Sequence, residues 1–252
     1  MQITQEQYNK IAKYLPVQRG NVSITNLQLI NAILYVTENG CKWRALPKNY
    51  GNWHTIYVRM NRWSKNGVLS RVFVALQTEG IIRIDVDVVC LDSTSVKVHP
   101  DGTGALKKTG KQAIGRSRGG LTTKIHMVTA SDRSAVSFSL SDGARHDSRE
   151  GMKLLNFTPS PACKQSLLMD RAYEGDNMRS LAKELGYNPV VPPKCNRIDP
   201  WEYDKKLYRR RNEIERFFRR IKRFRRVFTR YDKLDIVYAG FVLFAMIIDA
   251  LV

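Results

Sequence analysis

Residues 85–98 read DVDVVCLDSTSVKV. β-Branched side chains are stiff at χ1 and fit a pleated backbone, so this valine-rich run predicts a strand. Asp92 comes late in the run, and aspartate is depleted from strands. It therefore either caps or turns the chain or carries chemistry. The same stretch marks a change of pattern: helical periodicity rules before it, and strand composition follows. The boundary is placed near Glu79–Ile84, which gives an all-α domain over 1–80 and an α/β domain over 81–252.

Downstream, TTKIHMVTA (122–130) and SAVSFSL (134–140) predict two more strands. A helix is expected over 148–156, a short apolar strand in KQSLLMD (164–170), a helix over 175–185 and a strand in NPVVPP (188–193). One long basic helix is predicted over 205–226, followed by an apolar terminal helix. Three consecutive strands and then alternating helix and strand predict a mixed α/β sheet. Upstream, Thr4-x-x-Gln7 and Thr25-x-x-Gln28 are capping-box patterns, with Ile3 and Tyr8 at the spacing of a hydrophobic staple. The second helix should stop at Gly40, and a third should open at the N-cap Asn52. Trp53, Ile56, Met60 and Trp63 fall on one stripe of that helix and Arg59, Arg62 and Lys65 on another; a fourth helix covers about Val68–Gln77. Short helices with one basic face fit a helix-turn-helix-like module that binds DNA. The same pattern also arises when the tryptophans are core and the basic stripe is merely solvated.

The chain has 252 residues with 42 Lys and Arg against 23 Asp and Glu, a formal charge of +19. Every third of the sequence carries an excess of basic residues, so the charge is not a detachable tail. Such a surface attracts polyanions through counterion release, and nucleic acid is the default partner. Cys41, Cys90, Cys163 and Cys195 stand far apart and form no ligand pattern with the four histidines, which argues against structural zinc or a disulfide scaffold. The N-terminus lacks signal-peptide order. The apolar run Ile236–Ile248 is shorter than the ~20 residues that cross a bilayer. A reduced, soluble protein is expected, with no membrane partner.

Asp170 ends its strand as Asp92 nears the end of another. Two carboxylates at neighbouring strand ends repel each other unless a cation neutralises them, and Mg²⁺ accepts such oxygen ligands. A third acid comes from YRRRNEIERFFRRIKRFRR (208–226). At ~100° per residue, with Tyr208 at zero, Arg211 falls near −60°, Glu215 near −20° and Lys222 near −40°. Leu207, Ile214, Phe217, Ile221 and Phe224 cluster on the opposite side and should face the core. Glu213, near 140°, lies towards that apolar side, which favours Glu215 over Glu213. Between Lys205 and Arg230 stand 13 basic residues and two acids. Helical i,i+4 pairs cannot balance them, so phosphate is the better counter-charge. In AIGRSRGGLTTKIH (113–126), Gly115, Gly119 and Gly120 let backbone amides approach a phosphate, while Arg116 and Arg118 supply charge. GALKKTGK (104–111) has one residue too many between its glycines for a phosphate-binding P-loop. A nucleophile triad using His146 and Asp147 lacks the G-x-S-x-G turn.

Tyr208-x2-Arg211-x3-Glu215-x6-Lys222 resembles the signature of bacterial insertion-sequence transposases of the insertion sequence five and four families. LDSTSVKVH (91–99), GRSRGGLTTKIH (115–126), MDRAYEGDNMR (169–179) and GCKWRALPKNYGNWHTIYVRMNRW (40–63) resemble further blocks of that family. The resemblance covers nearly the whole chain. It implies a ribonuclease H-like five-stranded mixed sheet with flanking helices, behind a small helical domain. It implies that Asp92, Asp170 and Glu215 are the catalytic triad and hold two Mg²⁺ ions, for which Mn²⁺ can substitute. Tyr208, Arg211 and Lys222 are expected to hold DNA beside the ions, with Arg116, Arg118, Lys124, Arg59, Arg62 and Lys65 as further DNA contacts. The family often has Gly two residues after the second aspartate, where this chain has Ala172. The chain also ends at Val252, soon after the apolar helix, where the family pattern leads one to expect a short further tail.

The function expected is Mg²⁺-dependent cleavage at element ends and strand transfer into target DNA by two-metal phosphoryl transfer. The partners expected are double-stranded DNA, both element end and target, and a second copy of the chain, with no small-molecule substrate. The place of action expected is the bacterial cytoplasm, at the nucleoid. A DNA-binding regulator derived from a transposase, and a nuclease that cuts without joining, are the alternatives.

Overall fold

The structure, a computed structural model, describes residues 1–20, 22–84, 86–105, 110–161 and 164–252. Asp85, at the start of the expected first strand, and Cys163 lie outside the described residues. By contact the chain forms two compact units, one of residues 1–81, 96–112 and 220–252, the other of 82–95 and 113–219. These units do not coincide with the segments 1–80 and 81–252, because the C-terminal helix falls with the N-terminal ones.

The first unit opens with α1 (Gln5–Ala12), α2 (Asn26–Asn39), α3 (Trp53–Lys65) and α4 (Val68–Thr78). Both capping boxes form: Thr4 and Thr25 accept from the backbone of Gln7 and Gln28, whose side chains return the bond. Each box satisfies two amides that a helix start leaves open. Gly40 ends α2 at φ 63°, a conformation that glycine adopts without steric cost. Asn52 caps α3 through the amides of His54 and Thr55, and Asn66-Gly67 alone joins α3 to α4. At the other end of the chain, α10 (Asp235–Leu251) packs on α3 and α4 and is buried almost throughout. A Cβ on its Gly240 would lie 2.8 Å from Ser64 Cβ, so only glycine permits that approach. Among the described residues no helix is long and apolar enough to cross a membrane.

The second unit is built on a sheet whose main strands are β1 (Val88–Val98), β3 (Gly120–Thr129), β4 (Ala135–Asp142), β5 (Gln165–Met169) and β6 (Tyr187–Val190). Their order is β4-β3-β1-β5-β6, with β1 central and parallel to β5, which is parallel to β6. This is the mixed α/β sheet expected, enlarged by a short strand β2 (Gly115–Ser117) that pairs with β3; within the first unit, β7 (Thr229–Arg230) pairs with Lys97 and Val98 at the end of β1. α5 (Asp147–Phe157) leads into β5, and α6 (Asp176–Glu184) connects β5 to β6. Val89, Leu91, Leu167 and Met169 meet Leu154, Leu155 and Tyr173 in one buried core on this side of the sheet.

The predicted helix over 205–226 is not continuous. α7 (Lys205–Tyr208) passes through a 3₁₀ turn at Arg209–Arg211 into α8 (Asn212–Lys222). The chain then turns at Arg223-Phe224 and resumes as α9 (Arg225–Phe228). Most of the apolar face is as expected: Ile214, Phe217, Ile221 and Phe224 are buried, joined by Phe218, whereas Leu207 is half-buried.

Candidate active site

The register of β1 on β5 ends with Leu91 opposite Met169. Asp92 and Asp170 are the next residue on each chain, so parallel pairing delivers the two aspartates to one edge of the sheet. β5 stops there, with Asp170 capping a 3₁₀ turn by accepting from the amide of Arg171 at 2.6 Å. β1 does not stop. It runs on to Val98, so Asp92 lies within a strand, at the point where its buried run gives way to half-exposed residues.

Asp92 Oδ1 accepts the amide of Ser93 at 2.7 Å, and Oδ2 accepts Nη1 of Arg211 at 2.7 Å. Arg211 Nη2 reaches Glu215 Oε1 at 2.6 Å, so one guanidinium bridges the two acids. Tyr208 lies under the guanidinium, its ring centroid 5.9 Å away. Burial pushes the Asp92 carboxyl up to about 6. The Ser93 amide and Arg211 oppose that rise, whereas the charges of Asp170 and Glu215 add to it. Burial also works against the charge of Arg211, but Asp92, Tyr208, Glu215 and Asp170 outweigh it and raise its pKa. Glu213 instead accepts from Arg210 Nε at 2.9 Å, and its charge is among those that push the buried Cys90 thiol up to about 12, after burial itself.

Asp92, Asp170, Glu215, Arg211 and Tyr208 are thus brought together. Lys222 lies on the far end of α8, half-buried, and burial lowers its pKa. Arg116 and Arg118 are exposed on the β2–β3 hairpin, and Arg62 and Lys65 are exposed on α3. Two other expected DNA contacts are engaged within the protein. Lys124 gives its ammonium to Asp147 at 3.0 Å and to the Arg145 carbonyl at 2.8 Å, leaving its side chain 17% exposed. Arg59 donates to the Ile24 carbonyl at 2.8 Å and to Asn26 Oδ1 at 2.5 Å. The sequence reading missed Ser93 as a partner of Asp92 and Asp147 as a partner of Ser93. Ser93 Oγ donates to Asp147 at 2.8 Å. Nothing in the spacing signals that pair, which are 54 residues apart. A cavity of about 650 Å³ lined by Trp43, Tyr57, Arg226 and Tyr231 belongs to the helical unit and includes none of the three acids. A polymer backbone calls for an open charged surface rather than an enclosed hole.

Residues 85–249 match the family described as "Transposase DDE domain", and residues 3–73 match "Putative transposase of IS4/5 family". The "Uncharacterized protein y4sN" of Sinorhizobium fredii is 31% identical over 85 residues, which are 34% of this chain and 65% of that protein. The chain thus spans just under two thirds of that relative. The "Putative transposase for insertion sequence element IS6501" of Brucella ovis is 28% identical over 123 residues, 48% of this chain and 92% of that one. Among solved structures, the Mos1 transposase paired-end complex with left transposon end matches 69% of this chain and 61% of its own at 10% identity and a TM-score of 0.29. A pre-cleavage Mos1 transpososome matches 81% and 80% at 8% identity and a TM-score of 0.26. Likenesses that remote carry no argument. The family match does, because it spans well over half of the sequence and contains all three acids: the chain belongs to the transposase DDE domain family.

Proposed function

We propose that the chain is a DNA transposase that cuts at the ends of an insertion element and joins the freed 3′ ends into target DNA. The observation that supports it most is that Asp92 and Glu215 share one guanidinium beside the strand that Asp170 closes. As arranged, no group of three acid, histidine or cysteine side chains among the described residues stands close enough to hold an ion. The donor set nevertheless fits a hard divalent cation. Carboxylate oxygens are what Mg²⁺ prefers, burial and, to a lesser degree, the charges of Asp170 and Glu215 raise Asp92, and Arg211 stands in as the positive charge. Asp92, Asp170 and Glu215 are the residues to hold two Mg²⁺ ions, or Mn²⁺ in their place. Bound there, the ions would neutralise the scissile phosphate and lower the pKa of the attacking water or 3′-hydroxyl.

The rest falls to the chain's own side chains. Arg211, released from the acids, has the planar fork that grips a phosphate in two places, and Tyr208 limits where that fork can go. Arg116 and Arg118 on the β2–β3 hairpin, with the exposed Arg62 and Lys65, offer charge along a DNA backbone, and Lys222 is assigned the same role. The domain over 1–80 serves DNA contact and that over 81–252 catalysis, with two copies acting together on two element ends in the bacterial cytoplasm.

The test is an assay with Mg²⁺ and a pre-cut element end. Joining supports a transposase, cutting without joining a nuclease, and neither a DNA-binding regulator. Asp92→Ala, Asp170→Ala and Glu215→Ala should each abolish cleavage and leave binding largely intact, whereas Glu213→Ala should keep most activity. A dead Glu213→Ala beside an active Glu215→Ala would overturn the assignment.

A further inference from the structure

Asp92 has two oxygens with different neighbours. Oδ2 points to Arg211, while Oδ1 is held from behind by the amide of Ser93. A carboxylate presents one oxygen in a fixed direction only if the other is fixed, so the backbone at Ser93 sets the aim of Asp92. That backbone is in turn tethered. Ser93 Oγ donates to Asp147 Oδ1 at 2.8 Å, and the same oxygen accepts Lys124 Nζ from β3 at 3.0 Å. Asp147 is the first residue of α5, where the aligned amides favour a negative side chain. The buried phenol of Tyr173 is pushed up first by burial and then by the charges of Asp147, Asp92 and Asp170.

Ser141 Oγ lies 2.7 Å from His126 Nε2, and His126 Nδ1 lies 4.0 Å from Asp147, the order of a nucleophile triad. The last distance is too long for a hydrogen bond. His126 is 0% and Ser141 5% exposed, so no substrate reaches the hydroxyl.

We propose that Asp147 is a positioning residue for Asp92, acting through Ser93, with Lys124 holding Asp147 in place. The proposal rests on the reading of Asp92 as an acid that holds a divalent ion. Lys124 then belongs to this internal chain of contacts, and its ammonium is not a DNA contact.

The experiment compares wild type with Ser93→Ala, Asp147→Ala and Asp147→Asn in the full chain. Two quantities are read: the Mg²⁺ concentration at half-maximal rise in melting temperature, and that at half-maximal cleavage. Loss of a group that orients a ligand typically costs ~10–100-fold in metal affinity. Ser93→Ala and Asp147→Ala should therefore each raise both midpoints about tenfold or more. DNA binding without divalent ions should be unchanged. Asp147→Asn keeps an acceptor for the Ser93 hydroxyl and should recover most of the loss. A purely structural role would lower the melting temperature without moving the Mg²⁺ midpoints. Wild-type midpoints in Ser93→Ala overturn the proposal, and that variant carries the test if Asp147→Ala fails to fold. A wild-type protein with no Mg²⁺ response at all overturns the reading of Asp92 first, and this proposal with it.

Discussion

Arg211 donates to Asp92 across 119 positions of sequence at 2.7 Å and to Glu215 across four at 2.6 Å. The two acids come from the central strand β1 and from α8, and among the described residues neither has another cation within ion-pair distance. One guanidinium therefore answers for the repulsion between them. A divalent ion bound by the same two acids would compete with it for the same oxygens, so loading the site and freeing Arg211 for phosphate are coupled.

Arg211→Ala should expose that repulsion. Removing one partner from a buried ion pair costs about 3–5 kcal/mol, and somewhat less here because Glu215 is 42% exposed. Melting in a chelator should show the deficit, and adding Mg²⁺ should recover most of it because the ion takes over the neutralisation. DNA affinity should stay low in both conditions. A deficit that Mg²⁺ leaves untouched would mean the acids do not converge on an ion.

The raised carboxyl of Asp92 fixes the sign of a pH effect. Its folded value of about 6 exceeds the ordinary 3.8. Between the two, the folded chain keeps a proton that the unfolded chain has released, so the contribution of Asp92 to stability is lost as pH rises through 6. Asp92→Asn has no such loss. Without divalent ions the variant should gain on wild type between pH 4 and 6, by up to about 3 kcal/mol at ~1.4 kcal/mol per pKa unit, and the gap should be flat above that. The Mg²⁺-induced rise in melting temperature should fade below pH 6 in wild type, since the proton then competes for the ligand. A gap that opens above pH 7 instead would assign the effect to another group.

What the sequence shows of this protein is what local rules govern. The capping boxes at Thr4 and Thr25, the N-cap at Asn52 and the αL stop at Gly40 are short-range patterns, and each forms as expected. Helical phase separates Glu215, beside Arg211, from Glu213, beside Arg210. Long-range ion pairing leaves no such trace. The basic run 205–230 is short of acids within a helical turn, yet the fold brings Asp132 to Arg216 and Asp249 to Arg220 and Arg223, while Asp232 and Asp235, just beyond the run, fold back onto Arg226 and Arg230. Arg226 and Arg230 are buried, so part of the charge first assigned to phosphate is structural. Asp147 was hidden for the same reason, since its partners lie on β1 and β3.

Gly151 gives a prediction about the scaffold of the site. It lies in α5, and a Cβ there would stand 2.6 Å from Tyr173 Cε1 and 3.2 Å from Leu91 Cδ2. Ala in a helix is ordinarily worth ~1 kcal/mol over Gly, but forcing a methyl against a buried ring costs about 1–3 kcal/mol. Gly151→Ala should therefore lower stability by up to about 2 kcal/mol, read as a fall in urea midpoint. A stabilised variant would mean the α5–Tyr173 packing is looser than these distances imply.

The stripe Arg59, Arg62 and Lys65 separates structure from recognition within one helix. Arg59 has its fork on the Ile24 carbonyl and on Asn26, whose side chain also reaches the Pro16 carbonyl, so it ties the segment before α2 to α3. A hydrogen bond to a charged group is worth ~1.5–3 kcal/mol, and Arg59→Ala should lose about 2 kcal/mol of stability. Its guanidinium being committed inside, the dependence of DNA affinity on salt should not change. Arg62 is exposed, and the same replacement there should move stability by less than ~0.5 kcal/mol. If Arg62 meets a phosphate, its loss should make the slope of log affinity against log salt shallower by about one. Binding titrations at several salt concentrations, run beside thermal melts, read both quantities. A shallower slope in Arg59→Ala with unchanged stability would show that the guanidinium leaves Ile24 for DNA, and that α3 is held in place by something else.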